Sequence, residues 1–161
     1  MTTRDGIQIR VATAADAEGI SRLVIRTLRE TNAQDYAPDI IDTFVSNHEP
    51  DRVASLIASR RTYVAIVHGT IIGTAGLQDS RVRTVFVDPD HQGNHIGARL
   101  MDAVESFART ISITTLSVAS SVTAKGFYNK LGYSPVHEAV HGKARTIIME
   151  KCLNSQRTYV K

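Results

Sequence analysis

The sequence predicts a mixed α/β (α+β) fold, in which a central, mostly antiparallel sheet of six to seven strands is flanked by four to five helices. Short segments of alternating or β-branched residues are interspersed with longer ones whose apolar residues recur at helical spacing. Tight-turn residues at 68–70 and 78–80 join consecutive strands, which requires antiparallel pairing. One helix, between residues 87 and 115, can connect two parallel neighbours.

One strand and three helices are predicted in the first part of the chain. Residues 7–11 alternate apolar and polar side chains, as a half-buried strand does. Residues 13–16 resemble a capping box in which Asp16 replaces the usual Glu, and Pro50 suits the first turn of a later helix. The apolar stripes of the three helices are Ile20, Leu23, Val24 and Leu28; Ile40, Ile41, Phe44 and Val45 (segment 39–45); and Val53, Leu56 and Ile57.

The rest of the chain supplies the other strands and two more helices. Ser120 and Ser121 are suited to cap the last helix, and Gly132 ends it. The residues after 152 are polar, and we expect them to be frayed. The predicted strands are 62–67, 71–77, 82–87, 115–119, 135–140 and 144–152; the helices are 122–131 and one with the stripe Ile96, Leu100, Val104, Phe107 and Ala108.

Composition narrows the classes of function. The 161 residues suffice for one domain over 1–161 with a sizeable core. The net charge of +3 comes from scattered basic residues, which argues against a nucleic-acid-binding face. No apolar run reaches membrane-spanning length, and residues 1–16 contain no signal-peptide core. Cys152 is the only cysteine, so we expect a cytoplasmic protein without disulfides, and in its apolar segment we expect this cysteine to be buried and unreactive.

The stretch from Val85 to Leu100 carries the clearest chemical signal. It combines a short strand, a Pro/Asp turn, a polar loop with Gly93 and the start of an amphipathic helix. The N–H groups of a helix N-terminus lack intrahelical partners, and the helix dipole adds about half a positive charge there. Gly93 and Gly97 allow an anion to approach the backbone closely. These residues favour a phosphate site, with a plain structural connector as the alternative.

The order of elements and the residues at their joints resemble the GNAT superfamily of acyl-CoA-dependent N-acyltransferases. The resemblance covers nearly the whole chain and is strongest between residues 63 and 133. The set of motifs in this order is more specific than any one of them. The motifs are YVA at 63–65, GTIIG at 69–73, VDPDHQG at 87–93, IGARL at 96–100 and FYNKLGY at 127–133.

The resemblance implies acetyl-CoA as cosubstrate, in a V-shaped cleft between the central strand and the strand at 115–119, with no metal. The pantetheine arm would pair with the backbone of Val85, Phe86 and Val87. Ser121 stands where many members have a pantetheine-binding Asn, although helix capping also explains it. The pyrophosphate would lie on the loop formed by Gln92, Gly93, Asn94, His95, Ile96, Gly97 and Ala98.

The loop departs from the family signature at His95, which occupies the position of the first glycine. A positive φ would strain a histidine. We therefore expect ordinary backbone dihedrals at this residue, with the ring pointing outward or towards a phosphate. A loop residue without a role in binding is the alternative for the side chain.

Tyr128 matches the family's general acid, which protonates the CoA thiolate as it leaves. A phenol suits this role because its ordinary pKa, about 10, keeps it protonated at neutral pH. Its place in the stripe of Ala124, Phe127 and Leu131 is also that of a core tyrosine. With the family resemblance, the catalytic role is the better interpretation.

The general base is not assigned by the sequence. Many family members place a Glu at the start of the central strand, but Arg81 stands there and cannot accept a proton. The other candidates are Asp35, Asp79, His48 and His141, each of which is also a plausible turn or surface residue. Water relayed to backbone carbonyls is a further alternative.

The predicted function is transfer of an acetyl group from acetyl-CoA to a primary amine by direct attack. The acceptor is a small molecule or a peptide, and the family allows a homodimer. Arg81 and Arg83 lie near the expected acceptor end, so an acceptor with a carboxylate is one hypothesis, and two solvated arginines are the other. The alternative function is a non-catalytic CoA-binding regulatory or interaction module, which Arg81 and His95 both motivate.

Overall fold

The fold is described from a computed structural model, which covers residues 6–141 and 144–153 (for 141 and 144 the backbone alone). Seven strands and five α-helices lie within these ranges. The strands are β1 Gln8–Val11, β2 Arg61–Val67, β3 Thr70–Gln78, β4 Arg81–Val87, β5 Thr115–Ser120, β6 Ser134–His141 and β7 Ala144–Cys152. The helices are α1 Ala17–Glu30, α2 Pro38–Ser46, α3 Pro50–Ser59, α4 Ile96–Thr110 and α5 Lys125–Lys130.

The strands form one sheet in the order β1-β2-β3-β4-β5-β7-β6. β4 and β5 are parallel, and the other neighbouring strands are antiparallel. The crossover between β4 and β5 contains α4. The predicted fold class is therefore confirmed.

Two hydrophobic clusters hold helices on the sheet. One includes Leu100 and Val104 of α4 together with Tyr128 of α5. The other includes Val24 of α1 and Val53 of α3. The predicted capping box is present, since the Asp16 carboxylate accepts the N–H of Thr13 at 2.8 Å.

Three details of the prediction are wrong. The last helix begins at Lys125 rather than at 122, because the Ser121 hydroxyl oxygen accepts the N–H of Ala124 at 3.2 Å and closes a turn first. Cys152 is exposed. Strand alternation places it on the face of Glu150, while Met149 lies on the buried face. The tail predicted to fray, residues 153–161, begins with Leu153, which is instead buried (1% exposed) and donates its N–H to the carbonyl of Thr114 at 2.8 Å. The residues after 153 lie outside the described residues.

Candidate active site

A cleft opens where β4 and β5 separate. These parallel strands pair only at Arg81 with Ser117 and at Val82 with Val118. Beyond these pairs, β4 bulges at Thr84, whose φ is +54°. A bulge bends its strand and increases the local twist. The remainder of β4 therefore leaves β5 and presents an open edge.

The residues that face this edge follow from the β3–β4 ladder. The N–H of Asp88 donates to the carbonyl of Ile72 at 2.8 Å. Because hydrogen bonding to one neighbour alternates along an antiparallel strand, the backbone groups of Val87 point away from β3. The backbone groups of Val85, two residues earlier, also point away from β3, whereas those of Phe86 point towards β3. The Gln92 side-chain amide donates to the carbonyl of Val87 at 3.2 Å, so the loop already contacts the open edge.

The loop after β4 delivers an open helix N-terminus to the cleft. Gly93 has φ +96° and His95 has φ +60°, and α4 begins directly afterwards. The first intrahelical bond runs from the N–H of Arg99 to the carbonyl of His95 at 3.0 Å. The N–H groups of Ile96, Gly97 and Ala98 thus lack intrahelical partners, and no side chain of His95 caps them.

The expectation of ordinary dihedrals at His95 is wrong. This residue is the N-cap of α4, in the left-handed region with ψ 22°, and its side chain is exposed. The loop keeps the turn that a glycine would make there. Because histidine has a Cβ, it bears a strain in this conformation that a glycine would not.

Gly97 fixes how closely α4 approaches its neighbours. A Cβ there would lie 3.0 Å from Cζ of Phe127 and 3.6 Å from Cγ2 of Val87. The glycine therefore brings α4, the Phe127 ring of α5 and the edge of β4 together. The absence of a side chain at Gly97 therefore serves packing.

Arg26 of α1 holds the turn between β4 and the loop. Its guanidinium donates to both carboxylate oxygens of Asp88, at 3.1 and 3.0 Å, and to Asp90 at 2.9 Å. Asp88 in turn accepts the N–H of Asp90 at 2.8 Å. The arginine holds the pKa of Asp90 below its usual range. Sequence reasoning missed Arg26, because nothing in its helical stripe shows that it reaches residues so distant in the chain.

Tyr128 of α5 is buried, with 5% of its surface exposed. Its ring makes edge contacts with Phe127 (centroids 4.9 Å apart) and Tyr133 (5.9 Å). Burial raises the pKa of the Tyr128 phenol well above its ordinary value. No hydrogen bond of its hydroxyl is found within the described part of the chain, so the proton is not committed to a protein acceptor there.

A buried polar network lies behind Tyr128. The Tyr133 hydroxyl donates to Glu105 at 2.8 Å, and the Lys151 ammonium donates to the other oxygen of Glu105 at 2.9 Å. Only 5% of Glu105 is exposed. Burial and the adjacent carboxylate raise the pKa of Tyr133. The network fixes Tyr133 and, through it, one side of the Tyr128 ring.

The candidates for the general base are widely separated. Arg81 and Asp79 are exposed at the β3–β4 turn, and Asp35 accepts a hydrogen bond from Thr123 at 2.7 Å. The side chain of His141 lies outside the described residues. His48 is half-buried, and its ring lies against Phe86 of β4 with centroids 6.2 Å apart. Among the candidates whose side chains are described, His48 is the one with a ring contact to the strand that borders the cleft.

The sequence matches the family model described as Acetyltransferase (GNAT) domain over residues 32–151. The chain therefore belongs to the GNAT acetyltransferases, as the motifs indicated. Among curated proteins, it is similar to the N-acetyltransferase YafP of Escherichia coli (strain K12). The two are 25% identical over 134 residues, which cover 83% of this chain and 85% of YafP.

Solved structures share the fold. A GCN5-related N-acetyltransferase from Rhodopseudomonas palustris superposes with a TM-score of 0.85 at 21% identity, covering 94% of this chain and 99% of the other. The PaiA N-acetyltransferase of Thermoplasma acidophilum, solved in complex with coenzyme A, gives a TM-score of 0.77 at 19% identity, with 91% and 98% covered. These likenesses place the open β4 edge and the α4 N-terminus within an acetyltransferase fold.

Two absences hold for the described residues, 6–141 and 144–153. None of their helices has the length and apolar character needed to cross a membrane. Their His, Cys, Asp and Glu side chains form no group of three or more that could hold a metal ion.

Proposed function

We propose that the protein transfers an acetyl group from acetyl-CoA to a primary amine by direct attack, without an acyl-enzyme. The observation that carries the proposal is the meeting of an open strand edge and an open helix N-terminus in one cleft. The first suits the amides of a pantetheine arm, and the second suits a pyrophosphate. The coenzyme A present in the Thermoplasma PaiA structure supports the same ligand for this chain.

In this proposal the cofactor lies along residues 85–98. Val85 and Val87 offer backbone groups to pantetheine beside Phe86, and Ser121 faces the arm with the lone pair left after its capping bond. The pyrophosphate accepts the open N–H groups of the first turn of α4. The binding loop consists of Gln92, Gly93, Asn94, His95, Ile96, Gly97 and Ala98.

Besides positioning the two substrates, the protein must supply two groups to the reaction. A backbone N–H on the open edge of β4 polarises the thioester carbonyl. Tyr128 gives its proton to the departing sulfur. The raised pKa of Tyr128 keeps this proton in place through the neutral and mildly alkaline range.

Calorimetric titration with acetyl-CoA of the wild type, Ala98→Glu and Ala98→Gln tests the cofactor site. Ala98 lies in the first turn of α4, where a Glu favours the helix dipole but repels a pyrophosphate. We expect the Kd of Ala98→Glu to rise about 30- to 100-fold, corresponding to about 2–3 kcal/mol. Ala98→Gln controls for size, and its affinity should stay within a few-fold of wild type. Equal affinities of the two variants would contradict the proposed site.

A further inference from the structure

A partly enclosed pocket lies between the α1–α3 layer and the sheet. Its apolar wall consists of Ile20, Val53, Leu56 and Ile57. It reaches β4 at Thr84, the bulge residue next to the open edge at Val85. The pocket therefore adjoins the place where the proposed function puts the thioester.

Arg60 lines this pocket with unused hydrogen-bonding capacity. One terminal nitrogen donates to the Thr84 hydroxyl at 3.1 Å, while the buried Nε has no hydrogen-bond partner. Within the described residues, no carboxylate forms an ion pair with Arg60. Burial, together with the charge of Arg83, lowers the pKa of Arg60. A bound anion would satisfy the free donor and relieve the repulsion between the two arginines.

His48 brings a base with a defined tautomer to the same pocket. Its Nδ1 lies 2.8 Å from the carbonyl oxygen of Phe44. A carbonyl can only accept, so Nδ1 carries the proton and Nε2 of the neutral ring holds a lone pair. Burial, aided by the charge of Arg60, lowers the pKa of His48, so the ring is neutral at pH 7.

The surroundings of His48 contain few charges. The pocket residues from α1, β2, β3 and the body of α3 are apolar, hydroxyl-bearing or glycine, and Phe86 of β4 lies against the ring. Arg60, just after α3, is the other ionisable side chain of the pocket. A substrate amine beside His48 thus has one protein group placed to take its proton.

We propose that this pocket binds the acceptor, and that the acceptor is a small primary amine bearing a carboxylate on a short apolar skeleton, as in an aliphatic amino acid. The proposal rests on the proposed acetyl transfer. Arg60 holds the carboxylate, with its fork partly oriented by Thr84. The apolar wall covers the skeleton, and Nε2 of His48 receives the amine proton.

The amine nitrogen donates its lone pair to the thioester carbon, a C–N bond forms, and the carbonyl π pair moves to oxygen. The nitrogen loses a proton to Nε2 of His48. The oxygen pair then re-forms the C=O bond and the C–S bond breaks, while the sulfur takes the Tyr128 proton. The products are the N-acetyl amine and the CoA thiol, and solvent restores both side chains.

The test of the carboxylate compares leucine with leucinamide in a thiol-release assay. The variants are Arg60→Gln and, as a matched control, Arg52→Gln, whose exposed arginine lies outside the pocket. We expect wild type and Arg52→Gln to prefer leucine by about 10- to 100-fold in kcat/KM, and Arg60→Gln to lose this preference. Leucinamide is the less basic amine, so greater availability of the free amine cannot produce the preference. If wild type acetylates both amines without preferring leucine, or if Arg60→Gln keeps the preference, the inference is overturned. The proposed acetyl transfer still stands in either case.

A binding measurement separates this inference from the proposed function. Leucine is titrated into protein labelled with ¹⁵N-histidine, and the ring signals of His48 are followed. Shifts in wild type that are absent in Arg60→Gln support the pocket, even where no amine is acetylated and the proposed transfer fails. No shift in wild type at millimolar leucine overturns the acceptor pocket, whatever other amines are acetylated.

His48→Asn tests the base. The Asn amide nitrogen replaces Nδ1 as donor to Phe44, but the variant lacks Nε2. We expect kcat/KM for leucine to fall at least about 100-fold at pH 7.5. In wild type, kcat/KM should also fall as pH drops through the pKa of His48, below its usual value of about 6.5, because imidazolium cannot accept a proton. Loss of that acidic limb in the variant supports the role, and an unchanged pH profile overturns it.

Discussion

The two sides of the cleft are built from different parts of the chain. On the proposed cofactor side, backbone groups of one continuous stretch, residues 85–98, do most of the binding. On the proposed acceptor side, side chains that are distant in sequence, such as His48, Arg60 and Thr84, meet in a pocket. One side thus depends on conformation, and the other depends on side-chain identity.

This difference explains which side could be recognised in the sequence. A site made of N–H groups needs glycines and turn residues at fixed spacing, and these leave a motif. A pocket made of side chains needs only that its elements pack correctly. Arg60 stands directly after α3 as an ordinary basic residue, and only the fold shows that its Nε is buried. Acceptor specificity can therefore change by substitution while the cofactor loop stays as it is.

The largest expected effect concerns Tyr128, the proposed proton donor to the departing sulfur. Tyr128→Phe should lower kcat about 100- to 1,000-fold and leave the Kd for acetyl-CoA within two-fold of wild type. The rings are nearly isosteric, and the phenol forms no hydrogen bond with the described residues, so the variant should fold normally. Thiol release and calorimetry measure the two quantities. If Tyr128 were merely structural, Tyr128→Phe would show no loss of kcat.

The next effect concerns the stability that the buried network behind Tyr128 contributes. In Glu105→Gln, the ammonium of Lys151 loses its close counter-charge in a largely buried place, with 18% of the lysine side chain exposed. Removing one partner of such a pair is costly, so we expect unfolding by urea to show a loss of about 2–3 kcal/mol. The change in the midpoint at constant m value gives this number.

An exposed pair provides the control for Glu105→Gln. Glu138 accepts a hydrogen bond from Arg145 at 2.7 Å, but about half of each side chain is exposed. Glu138→Gln should leave the unfolding midpoint nearly unchanged, because solvent screens the pair. If both variants lose the same stability, burial is not what makes the Glu105 network matter.

A smaller effect is expected on the acceptor side from Gly76→Ala. A Cβ at this position would lie 3.2 Å from Cδ of Arg60 and 3.3 Å from the carbonyl oxygen of Arg83. The methyl group should displace the Arg60 stem and weaken its hold on an acceptor carboxylate. We expect the KM for leucine to rise about three- to ten-fold, with an unchanged Kd for acetyl-CoA. A change in the second quantity instead of the first would contradict the separation of the two sides.

The fold was largely predictable because periodicity marks every strand and helix, and the capping box at Thr13 and Asp16 confirms a local start signal. The failures have physical causes. Cys152 lies in an apolar segment, yet strand alternation turns it to the exposed face. Arg26 contacts Asp88 across a sequence separation of 62 residues, which no local pattern encodes. Sequence propensities therefore identify elements, while the contacts between elements come from tertiary packing.

The smallest expected effect on stability concerns His95, whose backbone adopts a left-handed conformation that a histidine disfavours. A non-glycine residue in the left-handed region costs about 1–2 kcal/mol. Glycine removes that cost but adds entropy to the unfolded chain, worth about 0.5–1 kcal/mol. His95→Gly should therefore stabilise the protein by about 0.5 kcal/mol, raising Tm by about 1–2 °C in a chain of this length.

The neighbouring Asn94 supplies the control, because its φ is not positive. Asn94→Gly should gain no relief and should lower Tm through the entropic term alone. Both variants keep the backbone N–H groups, so acetyl-CoA affinity should change little in either. Opposite signs of the two Tm shifts would show that the loop conformation is imposed on His95 by its surroundings. If His95→Gly also lowers Tm, the histidine side chain makes a stabilising contact that outweighs the strain of its left-handed backbone. That outcome would contradict the prediction.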